Sequence, residues 1–340
     1  MTVEPAKHAA VRDVIETRLA AAWPGTSLAG DPTPLKGGFW ASMFRVRLAG
    51  QPTQVPAEVV YRVAPDAAMG AKELAVQQAV ADLGFATPYV RLAQETAGDT
   101  EIWSVMDFAP GHPPLSGLSG LSALAQAPRL FARMPDQLAA PMAALHALDP
   151  ALVTEAVKTN SPTVAWQVED VLERFAATAA VLDRQDLVEV VRAVAACRPP
   201  EGPAVICHGD LHPFNLLVDD DRGGAVTVVD WTGSILAEPA FDVAFTSLML
   251  ANPPLNAPRP VSTVVRWAGA ALARRFVARY RALAPDQDLS SLDWYRALHG
   301  TRILIEVASM EASKDRDAAG HPFASMIPVA NKAIRLATAS

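Results

Sequence analysis

Residues 208–231, HGDLHPFNLLVDDDRGGAVTVVDW, hold the side chains of this 340-residue chain best suited to chemistry. Asp210 and Asn215 stand five residues apart on an expected loop, and Asp230 ends a Val-rich stretch twenty residues beyond Asp210. Two carboxylates and a carboxamide are hard oxygen groups. Phosphoryl transfer suits such a set: it needs a positioned acceptor hydroxyl and a polyphosphate neutralised by cations held on oxygen, with little covalent work by the protein. Two short apolar runs, 216–218 and 225–229, flank the turn sequence DDDRGG, so a hairpin is expected, with the acidic run as a solvated turn. That hairpin brings Asn215 and Asp230 to one end, both facing the cations.

Most of the chain must serve to hold this hairpin. Val11, Ile15, Leu19 and Ala22 recur at helical spacing, which predicts a helix over 7–22. MFRVRL and AEVVYRVAP read as strands. AKELAVQQAVADLG carries apolar residues at helical spacing and closes on Gly84, a helix C-terminal signal. PYVRLA and EIWSVMDF read as further strands. Proline, glycine and serine then concentrate across 109–122, which marks a boundary between residues 1–108 and 109–340. Beyond it helices are expected over about 122–148, 162–183, 184–197, 240–251, 260–283, 291–314 and 322–338, interrupted by the strands AVIC, LLV and AVTVV. The expected fold class is α/β (α+β) in two lobes: a small N-terminal lobe with an antiparallel sheet, and a larger, mainly helical C-terminal lobe.

The order His208, Gly209, Asp210, four residues, Asn215 follows the protein-kinase catalytic loop with glycine in place of arginine. HGDLHPFN, VVDW and EPAFD (238–242) together resemble the aminoglycoside phosphotransferase family, small-molecule kinases with a protein-kinase-like fold. The resemblance extends from about Leu35 onwards and is sharpest over 205–245. It implies that Asp210 is the catalytic carboxylate facing an acceptor hydroxyl, that Asn215 and Asp230 hold Mg²⁺, and that Asp242 braces the catalytic loop. It implies ATP or GTP as donor, with residues 1–108 as the nucleotide-binding lobe and 109–340 as the catalytic and acceptor-binding lobe. His208 joins the catalytic set as the residue that orders the loop by hydrogen bonds. In the N-terminal half Gly37, Gly38 and Ser42 resemble the family's phosphate-covering hairpin, although a full GxGxxG is absent. Arg62 stands where relatives carry a phosphate-pairing lysine, with Glu73 as its partner; arginine keeps the charge but differs in reach. The alternative for that pair is a surface ion pair. Backbone groups of Asp107 to Ala109, beside Met106, are expected to meet an adenine edge. The family's C-terminal helices shape the acceptor pocket, which makes Asp293, Trp294, Tyr295, Glu306, Glu311 and Asp315 candidates; acidic groups there would favour a cationic or hydroxyl-rich acceptor.

Other readings are weighed against this one. His208, Asp210 and His212 spell HxDxH, but zinc needs three or four converging ligands and no further cluster accompanies them. His146 reads as a hydrogen-bonded buried histidine. No GxSxG is present, which removes α/β serine-hydrolase chemistry. Few residues separate Asp230 from EPAFD, too few for a peptide platform, so a protein kinase is disfavoured. A catalytically idle nucleotide- or partner-binding protein of the same fold stays open because of Arg62 and the sparse glycine loop. The 29 basic and 36 acidic residues give a net charge of −7, which disfavours nucleic acid. Mean hydropathy is +0.16, and no apolar run reaches the length of a membrane span. No secretory signal or lipidation site is recognised, and Cys197 and Cys207 read as buried small hydrophobes, so a cytoplasmic location is expected. The expected partner is a small-molecule hydroxyl acceptor; no obligate protein partner is implied.

Overall fold

In the computed structural model, residues 5–35, 41–94, 100–116, 120–253, 259–313, 321 and 323–339 are described. The chain opens with helix α1 (Pro5–Ala22), followed by short strands β1 (Ser27–Leu28) and β2 (Thr33–Pro34) and the longer β3 (Ser42–Ala49) and β4 (Glu58–Ala64). Helix α2 (Ala67–Asp82) crosses to β5 (Val90–Ala93) and β6 (Ile102–Asp107). The sheet runs β1-β3-β4-β6-β5, with β2 also on β3, and every pairing is antiparallel.

Side chains on a strand alternate between faces, and β4 shows what that parity does. Val59 and Tyr61 pack with Ile15 and Leu19 of α1, whereas Val60 and Ala64 pack with Ala67, Ala71 and Leu74 of α2. Arg62 shares the parity of Val60 and Ala64, so it points at α2. Asp66 caps that helix by accepting from the Met69 amide at 2.9 Å, which starts it four residues before the expected Ala71. Gly84 follows its end at φ +84°, the left-handed conformation that stops a helix.

The rest is mainly helical. Helix α3 (Gly120–His146) runs through Pro128, Pro135 and Pro141. Helix α4 (Pro150–Asn160) is one the sequence reading passed over; Asp149 caps it and proline occupies its first turn, a start signal present in the sequence. The single helix expected over 162–183 is instead α5 (Val168–Val181), whose start is fixed by Asp170 accepting from the Trp166 and Gln167 amides at 3.0 and 2.9 Å. Then come α6 (Gln185–Ala196), β7 (Val205–Cys207), β8 (Leu216–Asp219), β9 (Ala225–Val228), β10 (Ile235–Ala237), α7 (Ala240–Ala251), α8 (Arg259–Leu283), α9 (Leu292–Ala312) and α10 (Ile327–Thr338). Strands β8 and β9 form the expected hairpin, with Leu216 opposite Val228. Strand β10, not expected, pairs antiparallel with β7.

One large core joins α3, α5, α6, α7 and α9 to the hairpin, and it also takes in Val76 and Val80 of α2. Helix α2 therefore packs the sheet with one side and the helical part with the other. Among the described residues no helix is long and apolar enough to cross a membrane. Cys207 is buried as expected, but Cys197, which ends α6, is exposed.

Candidate active site

The loop after β7 turns at Gly209, whose φ is +75° and where an added Cβ would lie 1.9 Å from the Gly233 carbonyl oxygen. No other residue fits there, which accounts for glycine in place of the kinase arginine. Asp242, in the first turn of α7, accepts from the His208 and Gly209 amides, both at 2.7 Å, and from His146 Nε2 at 3.1 Å. His146 Nδ1 then accepts from the Tyr280 hydroxyl at 2.6 Å, which makes His146 the satisfied buried histidine expected. Burial alone would raise the Asp242 carboxyl; the His146 hydrogen bond, the electrostatic contacts with the His146 and His208 rings and the Gly209 amide outweigh it and hold the group below its ordinary range.

His208 is fully buried and has no access to a ligand. Its Nδ1 accepts from the Asp210 amide at 3.3 Å, which leaves Nε2 to donate to the Val229 carbonyl at 3.1 Å. It shapes the loop through these bonds, the role the sequence reading gives it, with its side chain closed off from solvent. The HxDxH side chains do not converge on one point either. Among the described residues, one trio of His, Cys or acidic groups brings its ligand atoms within 4.8 Å of one another, namely His146, Cys207 and Asp242. The oxygens and nitrogens of that trio are already hydrogen-bonded, and burial pushes the Cys207 thiol well up, away from the thiolate a metal needs.

The hairpin does what its sequence predicts. Val229 donates to the Asn215 carbonyl at 3.0 Å, so Asn215 and Asp230 flank the same open end. Asn215 Nδ2 donates to the Asp210 carbonyl oxygen at 2.9 Å and to Asp210 Oδ2 at 3.2 Å, which turns its own Oδ1 outward as an acceptor. Asp230 sits at φ +67°, rare for a non-glycine residue, and its Oδ1 accepts from Thr232 at 2.8 Å. Trp231 between them is buried and anchors the turn by donating to Thr87 at 2.9 Å. The donor set at this end is a carboxamide oxygen and a carboxylate, hard ligands that fit Mg²⁺.

Arg62 meets Glu73 as β4 parity requires: Nη2 lies 2.7 Å from Oε2, with the side chains 7% and 3% exposed. The surface-pair alternative is thereby excluded. Burial pushes the Glu73 carboxyl up, Arg62 opposes that, and the Asp230 charge adds to it. Thr232 lies 2.9 Å from the same Glu73 oxygen, so one hydroxyl links the Arg62 pair to Asp230. Lys72, the neighbour of Glu73, is also buried; its ammonium donates to the Ser234 carbonyl at 2.6 Å and the Ala165 carbonyl at 3.3 Å. Sequence reasoning named neither Thr232 nor Lys72.

Ser42 opens β3, exposed, with Met43 opposite Arg62. Gly37 and Gly38 lie outside the described residues. Met106 is buried with Val60 and Leu74 under the sheet. The Asp107 amide donates to the Tyr89 carbonyl at 2.9 Å and its carboxylate takes both Arg91 bonds, so its N–H is not open to a base edge. The Ala109 amide, two residues past β6, makes no hydrogen bond among the described residues.

Among the described acceptor-pocket candidates, Glu306 is the one linked to the loop, through Arg302. Asp293 pairs with Arg296, Trp294 donates to the Val194 carbonyl, Tyr295 is buried, Glu311 pairs with Arg184, and Asp315 lies outside the described residues. Glu306 binds Arg302 at 2.6 Å, and Arg302 binds Asp210 at 3.0 Å, so Glu306 is already matched by a cation.

A two-lobed arrangement with a buried cation–carboxylate pair on β4 and α2, facing oxygen ligands at the end of a hairpin, defines the kinase-like class. The family model described as the phosphotransferase enzyme family (APH) matches residues 31–298, and the chain belongs to that family. No curated protein matches it. Among solved structures it is similar to a candidate aminoglycoside phosphotransferase from Ralstonia eutropha JMP134, with TM-score 0.63, 18% identity and coverage of 96% of this chain and 97% of that one. Aminoglycoside phosphotransferase APH(4)-Ia in ternary complex with ADP and hygromycin B gives TM-score 0.58 at 15% identity, covering 96% and 98%. Plasmodium vivax ethanolamine kinase gives 0.59 at 12%, covering 95% and 88%. The chain is a small-molecule phosphotransferase.

Proposed function

We propose that this enzyme moves the γ-phosphoryl group of ATP or GTP to a hydroxyl of a small molecule in a Mg²⁺-dependent reaction. The observation that carries the reading is the convergence of Asp210, Asn215 and Asp230 at one hairpin end, beside the Arg62–Glu73 pair. Residues 1–108 would bind the nucleotide and 109–340 would supply catalysis and the acceptor site. Asp210 orients the acceptor hydroxyl and takes its proton; Asn215 Oδ1 and the Asp230 carboxylate hold the cation. Bound Mg²⁺ would offset the charge of the triphosphate. Arg62, held by Glu73, would face the donor phosphates; Ser42, with the glycine pair Gly37 and Gly38 that the family resemblance assigns to the phosphate-covering hairpin, would serve the same phosphates, and the Ala109 amide offers the adenine its edge contact near Met106.

The hairpin-end donors alone do not select an acceptor; an amino sugar, an amino alcohol or another hydroxylated metabolite all fit a positioned carboxylate. A nucleotide donor and two free cysteines suit the cytoplasm. Nucleoside diphosphate release from Mg²⁺ with ATP or GTP, measured over a panel of hydroxylated acceptors with Asp210→Ala as control, tests the reading. Turnover by the parent and none by the variant is expected; nucleotide binding without turnover would identify an idle binding protein instead.

A further inference from the structure

Arg302 lies in the middle of α9, in no motif, yet its guanidinium reaches the catalytic loop 92 residues away in sequence. Nη2 donates to Asp210 Oδ1 at 3.0 Å, Nη1 to the Gly209 carbonyl at 2.8 Å and Nε to Glu306 Oε1 at 2.6 Å. The group lies 5.0 Å from the centroid of the Phe245 ring, and its side chain is 21% exposed. Burial would lower its pKa, but Glu306 and Asp210 more than reverse that, so it stays a cation.

The consequence lies in which atoms are held. Gly209 has glycine's freedom at φ +75°, the Asp210 amide has a long 3.3 Å bond to His208, and the contacts that the loop itself makes to the carboxylate, His212 Nε2 at 3.5 Å and Asn215 Nδ2, both fall on Oδ2, so Oδ1 is left to a partner from outside the loop. Arg302 grips the peptide carbonyl before Asp210 and one oxygen of its side chain with the two arms of one rigid plane. Asn215 Nδ2 meets the other oxygen at 3.2 Å. We propose that Arg302 is a positioning residue for phosphoryl transfer: it fixes the Asp210 carboxylate by Oδ1 so that Oδ2 is presented to the acceptor hydroxyl. This rests on the phosphotransferase reading above. Glu306 in turn aims the guanidinium, which gives that acid a role other than attracting a cationic acceptor. A lysine cannot serve three acceptors set in one plane.

The test compares parent, Arg302→Gln and Arg302→Lys for phosphoryl transfer, to the acceptor panel or to water. For Arg302→Gln we expect kcat to fall about tenfold to a hundredfold, the range for a charged hydrogen bond, with the nucleotide KM within about twofold. Arg302→Lys should recover less than half of that loss on a logarithmic scale. In an Asp210→Asn background Arg302→Gln should cost under about twofold more, because the two residues act as one unit. Losses that multiply in that background, an unchanged kcat or a raised one would overturn the proposal. Crystal structures of parent and Arg302→Lys with Mg²⁺ and a non-hydrolysable ATP analogue separate this inference from the reading beneath it. Nucleotide in the cleft with Asp210 in the same rotamer in both refutes the positioning role alone; a cleft that takes no nucleotide refutes the phosphotransferase reading and the inference with it.

Discussion

Lys72 shows how much a single side chain can carry at a lobe junction. Its ammonium has only carbonyl partners, Ser234 and Ala165, and lies 5.9 Å from the Trp166 ring centroid. Burial first, then the Arg174 charge, brings its pKa down to about 7, with Glu73 opposing. A lysine whose folded pKa lies below its unfolded value of about 10.4 binds more protons when unfolded, so folding stability rises with pH across that window and is penalised below it. Parent stability relative to Lys72→Met should therefore grow by about 2 kcal/mol between about pH 7 and pH 9. Urea unfolding of both proteins at the two pH values measures it; a constant difference would mean that Lys72 keeps an ordinary pKa. The same residue marks a limit of sequence reading. Its partner Ser234 is 162 residues away, Thr232 meets Glu73 across 159, and Arg302 meets Asp210 across 92. Nothing in a local pattern announces such contacts.

At the scale of elements, what was local in the chain was legible. The hairpin follows from two apolar runs and a polar turn; the pairing of Arg62 with Glu73 came from the family resemblance, and the parity of β4 together with the Asp66-capped helix accounts for its burial. Helix α4 was missed although Asp149 and Pro150 spell its start and Val153 and Val157 stand one turn apart, since so short a stripe is a weak helical signal; β10 was missed because its three residues form a strand through pairing with β7. Acceptor candidates taken from the C-terminal helices landed largely in surface pairs or the core, because membership of a helix does not say which side of α9 meets the loop. Two substitutions test the element contacts. Gly209→Ala places a methyl against the Gly233 backbone at a positive φ and should cost about 3 kcal/mol, read from the urea midpoint. A cost under about 1 kcal/mol would show that the loop can relax. Thr232→Val keeps the shape and removes the hydroxyl between Glu73 and Asp230. It should raise the nucleotide KM several-fold while changing stability by only about 1 kcal/mol. An unchanged KM would detach the Arg62 pair from the cation site.

Across the whole molecule, α2 belongs to two cores at once, with Leu74 against the sheet and Val76 and Val80 in the large helical core. The carboxylate that holds Arg62 and the hairpin that carries Asn215 and Asp230 are thereby referred to the same rigid element. In the proposed reaction such an arrangement would pre-set Arg62 against the Asn215 and Asp230 oxygens, which is what a reaction driven by positioning and electrostatics requires. Equilibrium binding of ATP with and without Mg²⁺ to the parent and to Asp230→Asn addresses that claim most directly. The parent should bind the Mg²⁺ complex more tightly than the metal-free nucleotide, and Asp230→Asn should weaken the Mg²⁺ complex about tenfold or more while leaving metal-free ATP within about twofold. Equal affinity of the two proteins for the Mg²⁺ complex would contradict the account.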